Sequence, residues 1–157
     1  MGSRLKVYLA YIAGFLDGDG SLMFQLKKRK DGNKSRHRFM LTICFYQDSR
    51  HEKPLFWIRD VFGIGYISRR NDGISELRIN GHEQVEKILV QLLPFIKFKE
   101  IQAKLLIESA RILKKRSRSE KELRMLAKNI LKVQNENYKT RKKRTEGEIL
   151  KTLGLTP

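Results

Sequence analysis

Apolar residues recur at helical spacing from Leu5 through Tyr8, Leu9 and Ile12 to Leu16, which predicts a helix closing around Gly18, Asp19 and Gly20. A second, emptier stripe runs along the same helix. Ala10, Gly14 and Gly18 lie four apart, so another backbone could approach that face closely. Glycine inside a helix costs about 1 kcal/mol against alanine, so Gly14 needs a packing or functional reason. The period then shortens from 3.6 to 2. Leu22, Phe24 and Leu26 alternate with Met23, Gln25 and Lys27; beyond a polar tip at 29–36, Phe39, Leu41, Ile43 and Phe45 alternate with Arg38, Met40, Thr42, Cys44 and Tyr46. These runs read as a long hairpin. Leu55, Ile58 and Phe62 mark a helix that stops at Gly63, and a second hairpin, Tyr66 to Arg70 and Glu76 to Asn80, turns at Asn71-Asp72-Gly73.

The remainder is helical. Asn80 with Glu83 and Ser119 with Glu122 have capping-box spacing, each ahead of an apolar stripe: Val85, Ile88, Leu89 and Leu92, then Leu123, Leu126, Ala127, Ile130 and Leu131. A helix through Ile101, Leu105 and Leu113 lies between them, with 111–118 as a basic connection and a basic tract, Tyr138 to Arg144, before a short last helix from Thr145. The order helix, hairpin, helix, hairpin, helices predicts an α+β fold: an antiparallel four-stranded sheet with helices on one face. Residues 1–157 are expected to form one domain, 1–3 reading as a candidate cloning remnant and 138–157 as the basic tract with its short helix.

Charge changes this picture most: 34 Lys and Arg against 17 Asp and Glu give +17. So basic a chain seeks a polyanion. Nucleic acid fits because phosphate neutralisation releases counterions, although a membrane-surface helix or a ribosomal protein would share such totals. The lone Cys44 excludes an internal disulfide, and His37, His51 and His82 lack metal-ligand spacing, so no structural transition-metal site is expected. No apolar run approaches the roughly 20 residues of a spanning helix, and the first helix carries Asp17 and Asp19 where a secretory signal would be apolar. A chain that is not secreted, acting without membrane or small-molecule substrate, is the expectation. Abundant Lys, Ile and Asn point to an AT-rich genome such as that of a chloroplast or mitochondrion, with a prokaryotic cytoplasm as the alternative.

With the apolar strand residues turned to the helices, the opposite face would show Gln25, Lys27, Arg29, Arg36, Arg38, Met40, Thr42, Cys44, Tyr46, Tyr66, Ser68, Arg70, Glu76, Arg78 and Asn80. Donors and acceptors of this kind read base edges in a major groove, and a ten-residue strand, at about 3.3 Å per residue, covers about one turn of B-DNA. Half-exposed sheets carry polar residues for solvation as well. Met40, Cys44 and Tyr46 suit plain solvent poorly; Met40 could meet a thymine methyl or simply pack across strands.

Asp19 is a carboxylate at a helix C-terminus, facing the negative end of the macrodipole, and such a group calls for a cation. If the Ala10, Gly14 and Gly18 face packs on its own copy about a two-fold axis, two Asp19 side chains converge and the demand for divalent ions grows. Oxygen-only ligands select Mg²⁺, with Mn²⁺ as a substitute, for phosphodiester hydrolysis. A plain turn role for Asp17 to Gly20 is the alternative.

The segment from Ile12 to Gly20, IAGFLDGDG, resembles the LAGLIDADG signature, and the chain is similar over nearly its whole length to the single-motif branch of LAGLIDADG homing endonucleases. Four further stretches carry the likeness in order: Leu41 to Gln47, Phe62 to Tyr66, Leu93 to Lys99 and Lys139 to Lys142. The resemblance implies a saddle-like sheet and a homodimer that cuts double-stranded DNA at a long pseudo-palindromic site, leaving short 3′ overhangs, to promote intron homing. It implies that Asp19 binds metal, helped by the Gly18 carbonyl, that Gln47 positions the attacking water, and that Lys99 stabilises charge at the scissile phosphate. Lys139, Thr140 and Lys142 would hold the DNA backbone. Asp17 reads as structural. Where the branch often has an arginine near the active site, this chain has Arg50 and His51, and the role stays open between them. An intron RNA maturase or a non-catalytic DNA-binding regulator on the same scaffold is the rival reading.

Overall fold

The elements follow the order of the hydrophobic pattern. The computed structural model describes residues 2–29, 36–137 and 143–157. Helix α1 (Ser3–Asp19) buries Leu9, Ile12, Ala13 and Leu16, while Leu5, the first residue of the predicted stripe, stays 39% exposed. The helix passes directly into β1 (Gly20–Lys28). A Cβ on Gly20 would lie 2.6 Å from Leu16 Cδ1 and 2.8 Å from the Leu16 carbonyl oxygen, so only glycine permits this sharp exit.

β1 pairs with β2 (His37–Asp48), with Gly20 opposite Phe45, so β2 runs on three residues past the start of β1. α2 (Lys53–Phe62), β3 (Tyr66–Arg69) and β4 (Ile74–Asn80) follow. All strand pairs are antiparallel and the order across the sheet is β1-β2-β4-β3. Leu22, Phe24, Leu26, Leu41, Ile43, Phe45, Leu77 and Ile79 are buried in one core with α1 and the helices that follow, α3 (His82–Leu92), α4 (Glu100–Leu113), α5 (Glu120–Glu136) and α6 (Glu146–Thr152). Phe45 rests on Phe15 of α1 with ring centroids 6.0 Å apart, and truncating such a fully buried ring costs about 3–5 kcal/mol. This packing fixes the end of α1 beneath β2.

Local devices set the joints. Ser119 and Glu122 form the expected reciprocal capping box, and Thr145 with Glu148 starts α6 in the same way. Asn80 does not cap α3: it is the last residue of β4, and its Oδ1 accepts from Thr42 Oγ1 at 2.7 Å. The capping position falls to Gly81, whose φ of 110° lies where side-chain-bearing residues are strained. Glu52, just ahead of α2, pairs with Arg69 and accepts from Ser75 Oγ at 2.5 Å, which clips α2 to the second hairpin. The free edge of β1 is closed at two points: Asn137 Nδ2 donates to Leu22 O at 2.9 Å and Arg144 Nη1 to Leu26 O at 3.3 Å. Among the described residues no helix is long and apolar enough to cross a membrane.

Candidate metal and nucleic-acid site

Asp19 is the last residue of α1 and is exposed, with Gly18 exposed beside it. Lys99 is held at the same end of the helix by Asp17. The Asp17 carboxylate accepts from the backbone N–H groups of Lys97 at 2.7 Å and Lys99 at 3.1 Å, and Lys99 Nζ donates to the Asp17 carbonyl at 2.5 Å. Burial lowers the Lys99 pKa below the ordinary lysine range, while the negative charges of Asp17 and Asp19 push it back up. Asp19 and Lys99 therefore share one electrostatic neighbourhood, and Asp17 has the structural role expected of it.

Gln47 follows by register. It is in phase with Phe45, on the α1 side of the sheet, and sits two residues beyond the Gly20–Phe45 pair that marks the helix-to-strand junction. Its Oε1 accepts from Asp48 N at 2.9 Å, so it does not cap α2. Asp48 caps the 3₁₀ turn Ser49–His51 through Arg50 N at 2.8 Å and also grips the Arg50 guanidinium at 3.0 and 2.8 Å. That grip holds the Asp48 carboxyl well below the usual carboxylate range and occupies Arg50, whereas His51 stands exposed in the same turn.

Asp19 and the Gly18 carbonyl form an oxygen donor set suited to Mg²⁺, but one subunit gives only part of a coordination shell. Among the described residues no three His, Cys, Asp or Glu side chains come together as a metal cluster. The rest of α1 is bare on the same side. Ala10, Gly14 and Gly18 are exposed, and a Cβ built on Gly14 or Gly18 meets nothing within 4 Å. Val7, 65% exposed, and Tyr11, 56% exposed, continue this stripe toward the N-terminus.

The open sheet face is more closed than its alternation suggests. Thr42 (1% exposed) and Cys44 (0%) are buried, because β2 is central and the side chains of β1 and β4 lean over it. Both are corrections: direct contact with a base edge would require their neighbours to turn aside. Ser21 and Tyr46 share a hydrogen bond of 3.0 Å, and Glu76 accepts from Ser68 at 3.3 Å, Arg78 at 3.0 Å and the Cys44 thiol at 3.8 Å. Arg70 is exposed and pairs with Asp72 at 2.5 Å. Tyr66 is 52% exposed, and Gln25 and Met40 face each other in register. Lys27 and Arg38 also face each other, with no acidic partner among the described residues. Arg29 and Arg36 are exposed at the base of the first hairpin, where Arg29 N donates to Arg36 O at 2.9 Å. Lys139, Thr140 and Lys142 lie outside the described residues.

A groove of about 890 Å³ begins at Asp17, Gly18 and Lys99 and continues past Gln25 and Lys27 along β1, so the carboxylate end of α1 and the cationic strand share one channel. Phe98, 83% exposed between Lys97 and Lys99, escaped the sequence reading, and the signal available was its apolar ring between two lysines.

A family model described as LAGLIDADG endonuclease matches residues 12–104. The DNA endonuclease I-CreI of Chlamydomonas reinhardtii is 34% identical over 103 residues, 66% of this chain and 62% of that protein. The DNA endonuclease I-CvuI of Chlorella vulgaris is 30% identical over 103 residues, 66% of this chain and 63% of that protein. The chain thus matches less than two thirds of the length of either curated relative. Among solved structures, I-CvuI in complex with its target in the presence of calcium superposes with a TM-score of 0.82 at 25% identity, covering 99% of this chain and 100% of that one. I-CvuI with the I-CreI target in the presence of magnesium, its DNA not cleaved, gives a TM-score of 0.82 at 24% identity over 98% of this chain and 96% of that one.

Proposed function

The chain belongs to the LAGLIDADG endonuclease family, and we propose that it is a site-specific, divalent-metal-dependent endonuclease that cuts double-stranded DNA as a homodimer. The observation that carries this reading is the bare face of α1 ending in an exposed carboxylate. Among the described residues nothing in one subunit needs glycine at positions 14 and 18, whereas a second α1 packed on that face would, and it would set two Asp19 side chains together. Asp19 from each subunit, with the Gly18 carbonyls, would hold the metal. When bound, the divalent ions, Mg²⁺ with Mn²⁺ as a substitute, supply Lewis acidity and lower the pKa of the attacking water. Crystals of I-CvuI on DNA with calcium and with magnesium support the divalent class. Gln47 orients the water, and Lys99 opposes charge building on the phosphate. Gln25, Lys27, Arg38, Tyr66 and Arg70 meet one half of a pseudo-palindromic site, and the cut leaves short 3′ overhangs that promote homing of the host intron in an organelle or a prokaryotic cell.

Selection of cleaved sites from a random DNA library with Mg²⁺ tests the proposal. A two-fold symmetric winner is expected, and an asymmetric one would argue against the homodimer. Asp19→Asn should abolish cutting of that site while leaving tight binding; retained cutting would remove Asp19 from the metal site. Wild-type protein that binds its site equally with and without Mg²⁺ and never cuts it would be a regulator instead.

A further inference from the structure

The two oxygens of Asp17 accept from the backbone on either side of Phe98, and the Asp17 carbonyl accepts from Lys99 Nζ. These contacts join residues 80 and 82 positions apart. The short loop after the 3₁₀ turn Leu93–Phe95 is thereby buckled to the end of α1, with Lys99 half-buried against the helix and Phe98 83% exposed. An exposed ring of this size, on a loop pinned at both neighbouring amides, is held out at the cost of its own hydration. Its two neighbours are tied to Asp17, so it stands at the C-terminal end of α1, the end at which the bare stripe of Ala10, Gly14 and Gly18 finishes.

We propose that Asp17 is a positioning residue whose buckle aims Lys99 at the Asp19 end of α1 and turns Phe98 outward as a contact for a second copy of this chain. Resting on the homodimeric nuclease reading, this makes assembly and the charge beside the phosphate depend on one loop. A subunit that docks through Phe98 stiffens the loop that carries Lys99, so the lysine is best placed once the partner is present.

Asp17→Asn keeps the shape but replaces one acceptor oxygen with an amide that cannot accept, so at least one of the two loop hydrogen bonds is lost. Amide hydrogen exchange at Lys97 and Lys99 should quicken by roughly tenfold or more, with the melting temperature little changed. Phe98→Ala should weaken dimerisation about tenfold by sedimentation equilibrium without DNA, and change monomer stability little because the residue is 83% exposed in one subunit. On the selected site, with protein concentrated enough to keep the dimer assembled on DNA, Asp17→Asn should lower kcat at least roughly tenfold, and should cost nothing further in a Lys99→Ala background. Multiplying losses in the double variant would show that Asp17 does not act through Lys99, and an unweakened Phe98→Ala dimer would remove Phe98 from the interface. Should Asp17→Asn fail to fold, exchange and sedimentation on Asp17→Glu take its place, with exchange at the wild-type rate and an unchanged dimer overturning the buckle. A wild type that assembles but cuts nothing would sink the nuclease reading alone, since exchange and sedimentation still decide the buckle.

Discussion

Burial pushes the Cys44 thiol up to about 11 and the neighbouring Tyr46 hydroxyl up to about 12, with the Glu76 charge adding to both. Native Cys44 should therefore resist iodoacetamide at about pH 8 and react once the chain is unfolded; mass spectrometry reads the difference, and rapid labelling of the native protein would mean that the sheet face opens. The same proton links stability to pH. Above the ordinary thiol value the unfolded chain loses a proton that the folded chain keeps, so stability should fall between roughly pH 9 and pH 11, by up to about 1.4 kcal/mol per pH unit for this group. Urea unfolding of Cys44→Ala across that window should give a flatter decline. Nearby, Glu76 holds Arg78, so the guanidinium would meet DNA already oriented. Arg78→Ala should relax specificity at a local base pair by about 1–3 kcal/mol, read from the cleavage profile; uniform weakening on all sequences would make it a phosphate contact. At this scale the sequence was legible where chemistry and phase agree, as at Lys27 and Arg38. It was illegible at Thr42 and Cys44, because what covers them comes from other strands.

α1 carries two stripes with one helical period, and both could be read before any fold was known: Leu9, Ile12 and Leu16 inward, Ala10, Gly14 and Gly18 outward. They make opposite demands on Gly14. In one subunit a Cβ at this position touches nothing, so Gly14→Ala should stabilise the monomeric helix by roughly 0.5–1 kcal/mol through propensity. In a dimer with closely packed helices the same methyl group intrudes, and Gly14→Leu should abolish association while leaving a folded monomer. Circular dichroism melts with sedimentation equilibrium separate these effects; a Gly14→Leu variant that dimerises as wild type would take α1 out of the interface. The long hairpin and the Ser119 cap were equally plain, since their signals lie within a few residues. Asn80 was misread because Asn followed by Glu83 fits a cap by spacing, while Thr42, which claims its Oδ1, lies 38 residues earlier. Asp17 is the limiting case. Its partners lie 80 and 82 positions further along the chain, and only packing could reveal them.

Across the molecule the +17 charge is unevenly neutralised. On the helix side, five bases are matched with acids: Arg111 and Lys114 with Glu86, Lys104 with Glu100, Lys115 with Glu122 and Arg124 with Glu120. On the sheet side Arg70 pairs with Asp72 and Arg78 with Glu76, while Lys27 and Arg38 stand opposite each other with no acidic partner among the described residues. A polyanion lying on the strands would meet these two uncompensated cations beside the groove that starts at Asp17, Gly18 and Lys99. Each phosphate contact contributes about 0.9 to the slope of log affinity against log salt, and a homodimer makes every contact twice. Lys27→Ala and Arg38→Ala should therefore each flatten the slope by about 1.8, whereas a monomer on DNA would show about 0.9 per substitution. Lys104→Ala and Lys115→Ala should leave it unchanged, because those charges are already answered within the chain. If the helix-side substitutions flatten the slope as much as the sheet-side ones, DNA lies on the other face and the reading of the strands fails. If the slopes fall as expected, one titration locates the DNA on the sheet and counts two subunits upon it.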